Sequence, residues 1–125
     1  MLCEELLKSI KSIKNMVEQK KVDAEGVKFF ILDKDTEVAH AFLYILRNDL
    51  HEKPFGFMED VFVHEEYRGR GYAKEILEDL LNEARKRGCY KVVGTSRFER
   101  EKVHALYEGL SFRKQGIEFR LDIDE

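Results

Sequence analysis

Apolar residues recur along this chain with different periods, and each change of period marks a change of element. Leu2, Leu6, Ile10, Ile13 and Val17 fall at steps of three and four. That spacing predicts one amphipathic helix with lysines on its far face, ending near Lys20 or Lys21. Three runs rich in β-branched and aromatic residues follow, Val27 to Leu32, Val38 to Leu46 and Phe55 to Val63. Asp/Lys and Asn-Asp-Leu-His segments separate them, so they predict consecutive antiparallel strands. From Gly71 the period returns to 3.6, with Ala73, Ile76, Leu77, Leu80, Leu81 and Ala84 on one face, and Gly88 stands where a left-handed residue ends a helix. Lys91 to Thr95 then reads as a short strand and Arg100 to Glu108 as a short helix, while Ile117, Phe119, Leu121 and Ile123 alternate as a last strand. Strand, helix and strand around residues 56 to 95 form a βαβ unit, which normally joins parallel strands. The predicted fold is an α/β or α+β domain with a mixed sheet. There is no internal repeat, and a single proline, Pro54, with no Ser, Gly or Gln tract leaves no linker.

Composition narrows the class without altering that picture. A chain of 125 residues suits one domain, residues 1–125, able to bury roughly two thirds of its unfolded surface. Its 43% hydrophobic and 11% aromatic content exclude a disordered tail, and 38% charged residues fit a soluble intracellular surface. A net charge of −3 weighs against nucleic acid as a partner. Cys3 and Cys89 are too few for a disulfide framework, and no apolar run is long enough for a membrane span or a signal-peptide core. The expected setting is the cytoplasm, with neither membrane nor nucleic acid bound.

The segment EEYRGRGYAKEIL, residues 65–77, concentrates chemistry at the start of the predicted middle helix. Helix N-termini expose unpaired amides and a positive dipole end, so an anion can bind there without any side chain. Gly69 and Gly71 let the backbone approach such an anion, and Arg68 and Arg70 add charge at the same mouth. Taken locally, the glycines equally build a tight strand-to-helix turn with solvated arginines beside it. The dinucleotide pattern G-x-G-x-x-G fails at Lys74, and a Walker loop would need Gly-Lys-Ser/Thr.

The order Arg68, two residues, Gly71, one residue, Ala73, after EDVFV and before a long helix, resembles the acyl-coenzyme A pyrophosphate loop of the GNAT superfamily of N-acetyltransferases. ARKRGCYKVVGTS and REKVHALYEGLSF fall where that superfamily has its next strand and its short helix ending in tyrosine, so the resemblance spans about residues 27 to 123. EDVFV, YRGRGYAKEIL and GCYK are similar to glucosamine-6-phosphate N-acetyltransferases, and REKVHALYEGLSF to aminoalkylphosphonate-type acetyltransferases.

The resemblance implies a GNAT-type mixed, mostly antiparallel central sheet flanked by helices, with splayed strands and a bulge at residues 59–63. It also implies acetyl-coenzyme A as donor, no metal, and a small-molecule amine as acceptor. On it, Gly69, Arg70, Gly71, Tyr72 and Ala73 with Arg68 hold the pyrophosphate, while Val61, Phe62 and Val63 bind the pantetheine arm in strand fashion. Tyr107 falls on the family's tyrosine that serves the coenzyme thiolate, against the alternative of a tyrosine packed under the sheet. Glu59 is the candidate base, or simply a charge at a strand end; Asp60 is the weaker candidate, since only one of the pair faces the cleft unless a bulge intervenes. Arg100 stands where many relatives have asparagine near the coenzyme.

Other residues invite simpler readings. His104 shares a helix face with Tyr107 and reads as a packing residue before a proton relay. His40, His51 and His64 show no zinc spacing with the cysteines, and Cys89 reads as buried. Phe55, Phe57 and Phe62 read as core, with Phe55 and Phe57 as alternative walls of an acceptor site. Ser111 replaces the glycine usual before the phenylalanine, which implies a less strained or differently shaped turn. The family's N-terminal strand has no obvious counterpart, so the sheet lacks an edge or gains one from a partner, and the pocket is small or completed across a homodimer. The expected activity is acetyl transfer to a small amine by direct attack on the thioester. Protein N-terminal or lysine acetylation and a non-catalytic acyl-coenzyme A sensor are the alternatives.

Overall fold

Residues 16–124 are described by a computed structural model of the chain. The helix expected over the first twenty residues lies largely outside them; Met16 is in a turn and residues 17–24 carry neither helix nor strand, so that helix does not run on to Lys20. The expected lack of a strand before it also falls outside the described residues.

Four strands form one sheet in the order β1 (Glu25–Asp33), β2 (Thr36–Leu46), β3 (Phe55–Val63), β4 (Val92–Gly94). The first two pairings are antiparallel and β3–β4 is parallel, as the alternating runs and the βαβ unit require. Helix α1 (Tyr72–Lys86) makes the crossover, and α2 (Glu101–Gly109) follows β4.

Alternation along β2 puts Ala39, Ala41, Leu43 and Ile45 on one face, where they are buried with Met58 of β3 under Ile76, Leu77, Leu80 and Ala84 of α1. Those helix positions are the 3.6-period stripe, so sequence pattern and core coincide. Val38 is buried beside Ala39 although neighbours in a strand face opposite ways; the register shift between Ile31 and Leu32 leaves Val38 as the extra residue and explains it.

Helix α1 ends in two backbone bonds, Gly88 N–H to Arg85 C=O and Cys89 N–H to Ala84 C=O, both 3.0 Å. Gly88 sits at φ +78, the left-handed cap its position predicts. The end of α2 repeats the motif: Ser111 N–H bonds Glu108 C=O and Phe112 N–H bonds Tyr107 C=O, both 3.0 Å. Ser111 is at φ +75. The turn therefore keeps its left-handed shape and is strained by the side chain, contrary to the relaxed turn expected from losing the glycine.

The alternating C-terminal segment, by contrast, forms no strand. Residues 117–123 pair with nothing among the described residues, and Ile117, Phe119, Leu121 and Ile123 are exposed.

Candidate active site

Strands β3 and β4 pair only from Gly56–Val92 to Met58–Gly94 and then part. Gly94 packs directly against Met58, so that an added Cβ would lie 2.8 Å from Met58 Cε; beyond this contact the two backbones diverge. The gap opens into a cavity of about 910 Å³ walled by residues 58–63 of β3, Arg68 of the loop into α1, Ala73 of the first turn of α1, residues 95–97 and 99–100 after β4, and the first turns of α2 through Tyr107.

On the β2 side, β3 is bulged: Phe42 faces Glu59 and His40 faces Phe62, so Ala41 opposes two residues, Asp60 and Val61. Asp60 adopts φ +51 to make the bulge. The extra residue breaks the strand's alternation, and both Glu59 and Asp60 reach the cavity wall. Beyond Met58 the β3 edge that faces the cavity has no strand partner among the described residues, leaving backbone groups of Glu59 to Phe62 open to a ligand.

The two carboxylates differ in what holds them. Asp60 Oδ2 lies 3.1 Å from His40 Nε2, and His40 Nδ1 lies 3.0 Å from Glu37 Oε2. Glu37 in turn accepts from Lys28, whose hydrogen bond, more than any other influence, holds the Glu37 carboxyl below the ordinary range. Asp60 is thus tied to β1 and β2 through a polar chain, while Glu59 is exposed and has no side-chain partner among the described residues.

At the other end of the wall, Arg68 Nε donates to Val63 C=O at 2.9 Å and its guanidinium lies 5.9 Å from the Phe62 ring centre. That tether uses Nε and leaves the two terminal nitrogens for an anion. Gly69 and Gly71 have φ +79 and +82 with nothing within 4 Å of where a Cβ would stand. Gly71 is the N-cap of α1, and no side chain caps the helix, so its first amides face open space beside Arg68. Arg70 is turned the other way, donating to Glu66 C=O at 3.3 Å and covering the Tyr67 ring at 4.8 Å. The Tyr72 side chain packs against the core, leaving only its backbone to the site.

Tyr107 is half-buried between the cavity and Phe112, with ring centres 5.6 Å apart. Burial raises its phenol above the ordinary value, opposed by the nearby charge of Arg100, which caps α2 from the same wall. His104 does not reach this cavity; its Nε2 lies 2.9 Å from Arg97 C=O and pins the loop between β4 and α2. Phe55 and Phe57 also lie off the cavity wall, on the sheet face opposite the core. Cys89 is half-buried, and desolvation pushes its thiol up. Among the described residues no cluster of His, Cys, Asp and Glu could hold a metal ion, and no helix is long and apolar enough to cross a membrane.

Sequence reasoning missed Arg97, Glu99 and the His40 tether of Asp60. The first two were findable, because ligands to open α/β sheets bind beyond the carboxyl ends of parallel strands, and both follow β4. The tether depends on pairing across β2 and has no local signal.

Residues 4–112 match the model of the acetyltransferase (GNAT) family. The chain is 43% identical over 68 residues to the glucosamine 6-phosphate N-acetyltransferase of Trypanosoma brucei brucei, covering 54% of this chain and 44% of that protein. It is 27% identical over 112 residues to an aminoglycoside N(6')-acetyltransferase type 1 of Stenotrophomonas maltophilia, covering 85% of this chain and 73% of that one. The chain thus spans less than half the length of the first of these relatives. A Trypanosoma brucei acetyltransferase of known structure superposes with a TM-score of 0.70 at 30% identity, over 98% of this chain and 82% of that one.

Proposed function

The chain belongs to the acetyltransferase (GNAT) family, and we propose that it transfers an acetyl group from acetyl-coenzyme A to a primary amine of a small soluble molecule, by direct attack of the amine on the thioester. What carries this reading is the gap between β3 and β4, where an open strand edge runs from the free amides of α1 to Tyr107. The donor supplies an activated acyl group on a thiolate leaving group. The amides of Gly69 to Ala73 and the terminal nitrogens of Arg68 suit its pyrophosphate, since the two glycines leave open space where side chains would stand. The edge of Val61, Phe62 and Val63 suits the amide groups of its pantetheine arm. Arg100, beside Tyr107, adds positive charge to the wall that receives the donor.

Glu59, on the wall and untethered, accepts the proton that the attacking amine must lose, directly or through water. Asp60 is engaged with His40 and takes the supporting part. Tyr107, like any phenol of pKa about 10, keeps its proton at neutral pH, and burial reinforces this, so it holds the proton ready for the sulfur as the C–S bond breaks. A small amine is favoured because the relatives are named for amino sugars and aminoglycosides. The charged surface composition supports the cytoplasm as its setting.

Calorimetric titration with coenzyme A and a panel of amino sugars, aminoglycosides, polyamines and peptides, followed by release of free coenzyme A, tests the proposal. Tyr107→Phe should lower turnover about 100-fold with little change in coenzyme A affinity. Absence of binding heat would overturn the donor assignment. Binding without turnover on any amine would leave a sensor.

A further inference from the structure

His40 lies outside the main cavity and holds one of the two carboxylates on its wall. Its side chain is 17% exposed, on the sheet face opposite the core, with Glu37 Oε2 3.0 Å from Nδ1 and Asp60 Oδ2 3.1 Å from Nε2. The Phe42 and Phe62 rings pack against it, with centres 5.8 and 5.6 Å away. Glu37 is itself held by Lys28 of β1. A ring engaged at both nitrogens and packed by two others cannot turn without losing a contact, so the Asp60 carboxylate is fixed to β2.

The bulge has a separate support. After Asp60, Val61 and Val63 pack against the core while Phe62 turns outward beside His40. Unbroken alternation from the buried Met58 would send Asp60 into the core and both valines out of it. Burial of the valines therefore keeps the bulge whether or not His40 is present, and the bulge brings Glu59 and Asp60, neighbours in sequence, to one cavity wall. Two carboxylates thus compete for one reacting amine. What separates them is His40, which engages Asp60, whereas Glu59 has no side-chain partner among the described residues.

We propose that His40 is a positioning residue for acetyl transfer: by holding Asp60 to β2 it leaves Glu59 as the one carboxylate that takes the amine proton. The assignment rests on the acetyl-transfer reading and adds to it a residue that touches neither donor nor acceptor. In that step the amine nitrogen bonds the acetyl carbon, the electron pair of the C–S bond leaves with sulfur, and the amine proton passes to Glu59. Released from His40, Asp60 stands one residue further along the same wall and takes that proton in place of Glu59.

The test is a gain of activity, which a merely structural role for His40 cannot produce. With acetyl-coenzyme A and the most active amine of the panel, Glu59→Gln should lower kcat about 100-fold. Adding His40→Phe, which keeps an aromatic ring and removes both polar contacts, should restore about tenfold of that loss by freeing Asp60. Asp60→Asn in the same background should remove the gain. Should His40→Phe not fold, His40→Met also lacks a donor and adapts more readily to a packed site. A readout apart from turnover is urea unfolding: His40→Phe and Asp60→Ala should be non-additive by about 2- to 5-fold in the unfolding equilibrium constant, as for a partly exposed charged pair. Additive losses, or an E59Q/H40F chain no more active than E59Q, overturn the assignment, and so does a gain that survives Asp60→Asn. An E59Q chain as active as the unaltered one overturns it equally. If the unaltered chain turns over no amine of the panel, the acetyl-transfer reading fails and takes the assignment with it, whereas the other adverse results leave that reading standing.

Discussion

Gly71 and Gly88 stand at opposite ends of α1 with nearly the same backbone, φ +82 and +78, and neither has an atom within 4 Å of a built Cβ. Replacing either by alanine therefore introduces no collision, only the cost of a side chain in the left-handed region. That cost is about 1–2 kcal/mol, offset by a few tenths to 1 kcal/mol from the stiffer unfolded chain. Each variant should lose about 1 kcal/mol of stability, a fall in melting temperature of about 3–6 °C for a chain this size. Their effect on coenzyme A should differ sharply. A methyl at position 71 enters the space over the first amides of α1, where the proposed function puts the pyrophosphate, whereas position 88 lies at the other end of a fifteen-residue helix. Losing one hydrogen bond to a charged group costs about 1.5–3 kcal/mol, so Gly71→Ala should weaken coenzyme A roughly 10- to 100-fold. Gly88→Ala should leave the affinity unchanged. Scanning calorimetry reads the first quantity and titration calorimetry the second. Equal coenzyme A affinities in the two variants would refute the placement of the anion at this helix start, because the matched stability loss removes unfolding as an explanation.

Three further outcomes test the fold around the site. Ser111→Gly should stabilise the chain by about 1 kcal/mol, read as a rise in melting temperature, because it removes a side chain from φ +75 in the cap that orients Tyr107 and Phe112. Gly56→Ala should destabilise by about 1–3 kcal/mol in urea unfolding, since its Cβ would lie 2.8 Å from Leu43 Cδ1 and 3.3 Å from Val92 Cγ2, and Leu43 is fully buried. The raised phenol of Tyr107 means that the unfolded chain ionises first as pH rises. Its contribution to stability is complete below about pH 10 and is lost as pH climbs through the folded-state pKa. Tyr107→Phe should therefore flatten the alkaline limb of a stability-against-pH curve, and an unchanged limb would assign that limb to other groups.

Much of the fold was legible because its determinants are local. The stripe from Ala73 to Ala84 and the cap at Gly88 depend on residues three or four apart, and the structure places α1 at Tyr72–Lys86. The span Phe55 to Val63 coincides with β3 to the residue. The candidate site was legible in outline for the same reason: Arg68, the glycines and the helix start are contiguous, and Tyr107 sits on a short helix with a readable end. What the pattern misjudged was side-chain direction. Arg70 looked equivalent to Arg68, yet it turns onto Tyr67 while Arg68 is tied to the end of β3.

Sequence alone determined where α1, α2 and the first three strands lie and that the sheet is mixed, since periodicity and capping act over a few residues. Tertiary structure decided what depends on pairing between distant segments. The choice between Glu59 and Asp60 was posed by alternation and dissolved by the bulge opposite Ala41, which is a property of the β2–β3 register and brings both to the cavity. The last segment has every local mark of a strand and is none here, because a strand exists only through the hydrogen bonds of a neighbour.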